Sequence, residues 1–584
     1  MKSNYNKLPV TPIKGHSCIA GWKNIISQLK KQSPKIIAIE CYPGVFMEEI
    51  IAEVRELLNP VLIINTSDAM KSEAEIHALV QPYVTDDPVF GYMTSLELED
   101  YFDEVKMEDL KKEINSANGC VVITGPGALL LNSQPQLILY ADMPRWEIQM
   151  RYRNNTACNL GKTNYTDSFS YQYKHAYFVD WRVCDRYKKR ILESCHFILD
   201  TTKPHYPKMI RVDALYDALK QIVNSPFRVV PFFDPGPWGG QWLKDVCDLD
   251  RNVPNYAWGF DCVPEENSLL LEFGDEVVEI PSINLVFFQP EALLGKKVYE
   301  GFGDEFPIRF DFLDTMEGGN LSLQVHPLKE YIKEKFGMSY TQDESYYMLD
   351  AGEDAFVYLG LKENISPDSM MNDLEEAQKG NAPFLADQYV QKWPVRKHDH
   401  VSIPAGTVHC SGANSVVLEI SATPYIFTFK LWDWERMGLD GKPRPISLEH
   451  GKKNIQWKRD TSWTKENILN LVEPVAEGDG WREERTGLDA LSFIETRRHW
   501  FSKKVLHHTG GVVNVLNLVE GREAIVESPD DSFEPYIIHY AETFIVPASV
   551  GAYTIRPYGE SEGKECATIR ASVRTDRMKE KILK

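Results

Sequence analysis

The spacing of apolar positions changes character near residue 225. Before it, unbroken apolar runs alternate with stretches of helical spacing. Lys35–Cys41, Val61–Asn65, Cys120–Thr124, Leu137–Asp142 and Phe197–Asp200 read as buried strands. Pro43-Gly44 turns the first of them into a helical pattern through Val45, Ile50, Val54 and Leu58, and further helices are expected around Leu96 to Ile114 and over Trp181 to Leu192. Such alternation predicts a parallel α/β sheet over residues 1–225. From Pro226 onward, short apolar runs are separated by Gly, Pro, Asn and Asp, the texture of a β-barrel or sandwich, with helices mainly between Leu328 and Phe336 and between Met370 and Gln378. A second such block spans about Leu488 to Val573. Its Thr543-Phe544-Ile545-Val546-Pro547-Ala548 echoes Val401-Ser402-Ile403-Pro404-Ala405-Gly406, so two related β-barrels are expected.

The chain has 584 residues, which is several domains at about 150 residues each. With 43% hydrophobic and 26% charged residues, it has ample material for buried cores. The formal charge of −21 repels phosphate backbones and anionic lipid, which argues against nucleic acid or membrane partners. Nothing approaches eighteen uninterrupted apolar residues, and Met1–Lys7 does not lead into the apolar stretch of a signal peptide, so a cytoplasmic protein is expected. The ten cysteines are scattered without a C-x-x-C pair, which indicates neither a disulfide framework nor thiolate-bound zinc.

Candidate chemistry concentrates in Leu321-Ser322-Leu323-Gln324-Val325-His326-Pro327. Residues two apart on a strand share a face, so Gln324 and His326 can present an amide oxygen and an imidazole nitrogen to one point. Glu344 follows where a short connection returns the chain to a neighbouring strand, and His409 ends the turn Pro404-Ala405-Gly406-Thr407-Val408-His409. Two nitrogens and two oxygens suit a borderline divalent ion such as zinc, at ligand distances of roughly 2.0–2.2 Å. By itself, Gln-x-His is more often polar decoration of a strand.

The same residues carry a family resemblance. Ser322–Pro327, Tyr358-Leu359-Gly360-Leu361-Lys362, Ile403–His409, Leu431-Trp432-Asp433-Trp434-Glu435-Arg436 and Gly438-Leu439-Asp440-Gly441-Lys442-Pro443-Arg444 resemble, in order, class I mannose-6-phosphate isomerase, and Pro237-Trp238-Gly239-Gly240 resembles that family's entry motif. The resemblance covers about residues 226–584. It implies a metal-binding cupin domain over 226–480 with a helical insert at about 328–392, a C-terminal cupin-like domain over 481–584, and one Zn2+ per chain held by Gln324, His326, Glu344 and His409. It further implies interconversion of mannose 6-phosphate and fructose 6-phosphate or a related sugar, with a sugar or sugar phosphate as partner and room for a homo-oligomer.

Three positions depart from the family pattern. Gln342 and Asp311 stand where lysines are usual, and Lys430 where an arginine is usual; Pro424 lies in a stretch that normally carries Ser-Asp. A phosphate facing Asp311 is disfavoured, since like charges about 4 Å apart repel by roughly 4 kcal/mol even at an effective dielectric near 20. Arg309 can compensate if it faces inward. Lys430 and Glu419 are the candidates for proton transfer, and Ser322 for a phosphate or hydroxyl contact. The alternative to an isomerase is a metal-containing carbohydrate-binding regulator without turnover.

Other histidines read as structural. His398-Asp399-His400 is expected in a surface turn, adjacent His507 and His508 point to opposite strand faces, and His539 and Glu542 decorate the second barrel. The N-terminal region resembles, more distantly, a P-loop kinase of the uridine-kinase type. The resemblance rests on the strand before Pro43, on Val121-Val122-Ile123-Thr124-Gly125-Pro126-Gly127, and on Tyr140-Ala141-Asp142-Met143-Pro144 followed by Arg145, Arg151 and Arg153. Phosphate binding needs a glycine-rich run of N–H donors followed by Lys-Ser or Lys-Thr. Here Pro43 removes a donor, no lysine follows, and Glu48 and Glu49 place negative charge at the helix start. A degenerate, scaffold-like domain is the expectation. ATP hydrolysis by the purified protein should stay at background, and an ATPase activity abolished by substitutions around Pro43 would contradict this.

Overall fold

Apolar runs buried on both faces pair in parallel, and five of them do so here. In the computed structural model, which describes residues 3–422, 427–437 and 446–575, these are β1 (Ile36–Cys41), β2 (Leu62–Asn65), β3 (Val121–Thr124), β4 (Leu137–Asp142) and β5 (Phe197–Asp200). They lie in the order β5-β4-β1-β3-β2, with β6 (Lys208–Arg211) antiparallel beside β5 and the short Ile19–Ala20 strand beyond it. Ile37, Ile39, Val122, Leu137, Leu139 and Leu199 pack with Ile25, Ile26 and Leu29 of the Trp22–Lys30 helix as the core of this sheet. The helical pattern after Pro43 materialises as Met47–Glu53 continued by a π-helical turn at Val54–Leu58.

The described chain forms two units. One comprises Val10–Gln221 and Ser268–Phe288, the other Met1–Pro9, Ile222–Asn267 and Gln289–Lys584. The boundary near 225 therefore corresponds to the change of texture, but two segments lie on the other side from their sequence neighbours. The cause is a strand ladder: Val10–Pro12 pairs in parallel with Ser268–Phe273, which in turn forms a hairpin with Glu276–Pro281.

The remaining sequence is antiparallel sheet. One six-stranded sheet has the order β14-β11-β16-β9-β8-β7, from β7 (Phe232–Asp234), β8 (Trp258–Cys262), β9 (Arg309–Asp314), β11 (Glu344–Ala351), β14 (His400–Ile403) and β16 (Ser415–Ser421). A five-stranded sheet has the order β13-β12-β15-β10-β17, from β10 (Leu323–Val325), β12 (Phe356–Leu361), β13 (Val390–Pro394), β15 (His409–Ser411) and β17 (Phe429–Trp432). Residues 328–392 are not the single helical insert expected. Helices Lys329–Phe336, Pro367–Gln378 and Ala386–Tyr389 are interrupted by the buried strands β11 and β12.

From Val472 a further pair of antiparallel sheets follows, six- and four-stranded, packed around Phe501, Leu516, Leu518, Val526, Phe544 and Ile555. These strands begin somewhat before the expected 481. Among the described residues no helix is long and apolar enough to cross a membrane.

One buried ion cluster joins the N-terminal segment to both β regions. Arg228 pairs with Asp261 at 3.2 Å and Glu542 at 2.8 Å, and donates to the carbonyls of Asn6 and Thr543. Its guanidinium also lies 4.9 Å from the ring of Tyr5, whose hydroxyl donates to Asp261. Removing one member of such a group strands the others without a counter-charge. Arg228→Met should lower unfolding stability by about 3–5 kcal/mol in denaturant titration; a loss below about 1 kcal/mol would show the cluster to be energetically idle.

Candidate metal centre

The four candidate ligands come from facing sheets. Gln324 on β10 pairs directly with His409, the first residue of β15. His326 follows two residues after Gln324, immediately beyond the strand end. Glu344 opens β11, which belongs to the six-stranded sheet. The expected return to a neighbouring strand is thus corrected: helix Lys329–Phe336 intervenes, and the chain crosses to the opposite sheet.

Their functional atoms converge. His326 Nε2 lies 3.0 Å from one Glu344 oxygen, and His409 Nε2 lies 2.9 Å from the other. The Gln324 amide is 3.1 Å from His409 Nε2 and accepts from Ser322 Oγ at 3.0 Å. All four side chains are buried. Donors bound at about 2.1 Å to one ion are themselves separated by about 3.0–3.4 Å, which matches this spacing.

The second partners of the imidazoles point the same way. His326 Nδ1 faces the carbonyl of Phe427 at 2.8 Å, and His409 Nδ1 faces that of Thr407 at 2.9 Å. Donation from Nδ1 leaves each Nε2 lone pair aimed at the shared centre, as in metal-ligating histidine. Interchanging oxygen and nitrogen of the Gln324 amide turns its oxygen inward while Ser322 still has a partner. His326, Glu344 and His409 together form a group able to hold a metal ion.

Charge is strongly redistributed here. Burial alone would raise Glu344, but His326 and His409 hold it well below the usual carboxylate range. Burial alone would lower His326, and the Glu344 carboxylate raises it instead.

The cradle behind the ligands was only partly visible in the sequence. Arg459 reaches the carbonyls of Pro404 and Ala405 and the hydroxyl of Thr407, fixing the turn before His409, where Gly406 adopts φ +91°. Asp343 accepts from Ala405 N at 2.9 Å. Trp434 Nε1 donates to Leu321 O at 2.6 Å, and Arg436 bonds to Asn320 O, so the Leu431–Arg436 motif supports the strand carrying Gln324. Pro424 and the Gly438–Arg444 motif lie outside the described residues.

The departing positions surround the same centre. Gln342 donates to Glu344 at 2.9 Å, lies 3.5 Å from Glu419, and accepts from Phe427 N at 3.0 Å. Arg309 does face inward, with its Nε 3.4 Å from Asp311. Asp311 pairs in register with Glu419, which pairs in turn with Tyr346. Burial, opposed by Arg309 and reinforced by Glu344, pushes Asp311 up to about 7. Burial, with Asp311 and Glu344, raises Glu419 well above its ordinary range. Lys430 is half-buried and pairs with Gln324 across β10 and β17.

The other histidines are engaged elsewhere. His398 meets Tyr347 and Glu520, whereas His400 is buried against Thr486 instead of lying in a surface turn. His507 is buried and His508 exposed, as strand alternation requires. In the α/β unit, Glu40 accepts from the N–H groups of Gly127 and Leu129, so a carboxylate already occupies that turn. Arg151 donates to Gly44 O at 2.8 Å and stacks 3.8 Å from Phe46, while Arg145 is paired with Asp185.

Comparison with known proteins gives two separate likenesses. A family described as a domain of unknown function (DUF8485) matches residues 21–224. Mannose-6-phosphate isomerase ManA of Bacillus subtilis is 29% identical over 236 residues, 40% of this chain and 68% of that protein. Mannose-6-phosphate isomerase of Streptococcus mutans is 28% identical over 322 residues, 54% of this chain and 90% of that protein. The solved structure of the Bacillus subtilis mannose 6-phosphate isomerase is 17% identical with a TM-score of 0.47, covering 59% of this chain and 99% of that one.

Because His326 is raised by Glu344, its ion-free pair stabilises the fold fully below the unfolded histidine pKa near 6.5, and this contribution is lost as pH rises through the higher folded value. A cation must displace that proton. Metal uptake should therefore release protons and strengthen with rising pH, as calorimetry in buffers of different ionisation enthalpy would register. His326→Ala and Glu344→Gln should abolish stoichiometric metal by elemental analysis, and Ser322→Ala should weaken affinity about 10–100-fold by freeing the Gln324 amide.

Proposed function

We propose that this chain is a zinc-dependent aldose–ketose isomerase acting on mannose 6-phosphate and fructose 6-phosphate or a related sugar. The observation that carries the reading is the convergence of Gln324, His326, Glu344 and His409 at one buried point, within the portion of the chain that resembles that family. In this reading residues 226–480 and 481–584 are two cupin domains, and residues 1–225 a degenerate P-loop-like scaffold.

Isomerisation moves a proton between C1 and C2 and places developing negative charge on the sugar oxygens. A bound divalent ion would supply Lewis-acid stabilisation of that charge. Glu419 and Lys430 flank the centre from opposite sheets, Glu419 in line with Asp311 and Lys430 beside Gln324, and serve as the proton-transfer pair. Ser322 orients Gln324 through its hydroxyl, and Gln342 tethers Glu344. Burial of Glu419 and of the four candidate ligands limits exchange of the migrating proton with bulk water.

A second reading, a metal-containing sugar-binding regulator, draws on one observation: Gln342, without a charge to lend, bridges Glu344 and Glu419 where the family usually has lysine. The test combines metal analysis with an isomerase assay. Protein carrying about one ion per chain should convert mannose 6-phosphate or a related sugar, chelation should abolish conversion, and Glu419→Gln or Lys430→Ala should lower kcat about 10²–10⁴-fold. Failure of the metal-loaded protein to turn over a broad sugar panel, with ligand-dependent thermal stabilisation retained, would favour the regulator. Gln342→Lys tests whether the missing cation limits the rate.

A further inference from the structure

The wall next to the candidate metal centre is built from three adjacent strands in exact cross-strand register. Arg309, Ser421 and Glu344 form one row across β9, β16 and β11, and Asp311, Glu419 and Tyr346 form the next. Directly paired residues and residues two apart share a sheet face, so the entire group looks the way Glu344 looks, toward the centre. The Tyr346 ring confirms this placement by meeting His409 edge-on at 5.8 Å.

The chemistry of that wall is unusual for a buried surface. The Tyr346 hydroxyl and the Ser421 hydroxyl are buried without a hydrogen-bond partner among the described residues. Glu419 lies beside both, with Asp311 across from it on β9, and each carboxyl is less than a tenth exposed. Buried polar groups ordinarily find partners, so a surface holding two such hydroxyls beside two carboxyls is suited to a ligand that both donates and accepts. A sugar hydroxyl does both. A phosphate dianion only accepts, and is held by arginine, lysine or helix N-termini. The cation described on this wall, Arg309, is directed at Asp311, 3.4 Å away; Lys430 belongs to the facing sheet beside Gln324.

We infer that Asp311, Glu419, Tyr346 and Ser421 form a hydroxyl-reading surface that selects an uncharged hexose over its phosphate ester as the substrate. The inference rests on the isomerase reading and narrows its substrate class. Tyr346 and Ser421 are specificity residues in this scheme, donating to ring or chain oxygens of the sugar, while Asp311 exchanges a hydrogen bond with a sugar hydroxyl and, in its ionised form, repels a phosphate.

The experiment uses the full chain loaded with zinc, with D-mannose and mannose 6-phosphate as the two probes, assayed for turnover and by calorimetry. We expect kcat/KM for D-mannose to exceed that for mannose 6-phosphate at least tenfold. Tyr346→Phe and Ser421→Ala should each raise KM for D-mannose several-fold at unchanged metal content and unchanged thermal midpoint. Asp311→Asn should shift the ratio toward the phosphate ester. Preferential turnover of mannose 6-phosphate would overturn the inference while leaving the isomerase reading intact. If neither sugar turns over, the isomerase reading fails, and calorimetry decides the inference separately: tighter binding of D-mannose supports it, whereas tighter binding of the phosphate, or no binding of either, overturns it.

Discussion

A buried carboxylate held between two imidazoles is the constraint around which this β region is organised. Glu344 presents each oxygen to a different histidine at about hydrogen-bond distance, and both histidines turn their other nitrogen to a backbone carbonyl. Uncompensated charge at that depth is costly, so the arrangement persists only with protons or a cation at its centre. The two sheets that deliver these groups must face each other closely. That requirement explains why so much of the surrounding hydrogen bonding goes to turns and strand ends. Arg459, Asp343, Trp434 and Arg436 all fix backbone that carries a ligand.

The electrostatic surroundings are lopsided. Among the described residues three carboxyls, Glu344, Asp311 and Glu419, share one wall with Arg309; burial, reinforced by the neighbouring carboxyls, raises Asp311 and Glu419, while the histidines lower Glu344. Neighbouring acids are thereby driven in opposite directions by local partners, a pattern that separates proton-holding from cation-holding groups within one small volume.

Much of this was legible in the sequence, for identifiable reasons. The parallel strands of the α/β unit are buried on both faces, so they stand out as unbroken apolar runs such as Leu137–Asp142. Gln324 and His326 were visible because an alternating strand aims both at one point, and His409 because a Pro-Ala-Gly turn precedes it. Glu344 was recognisable as a ligand but not as a member of the opposite sheet, since a helix between it and His326 breaks the local pattern. Strands β11 and β12 lie inside the stretch that the family resemblance assigned to a helical insert, although Phe356-Val357-Tyr358-Leu359-Gly360-Leu361 is an apolar run of the kind that marks a buried strand. Tyr346 and Ser421 carried no signal: their importance lies in cross-strand register, which only the fold brings about. His400 misled for a similar reason, being a polar residue in a turn-like sequence that packs under Thr486.

The exchange of short segments between the two units has a consequence for how the gene can be cut. The chain passes from one unit to the other at residues 9/10, 221/222, 267/268 and 288/289. A truncation at residue 225 would separate the Ser268–Phe273 strand from Val10–Pro12 and deprive Arg228 of Tyr5 and Asn6. Neither unit is therefore encoded by one continuous stretch, and a cut at any single position leaves at least one of them without a segment it is built from.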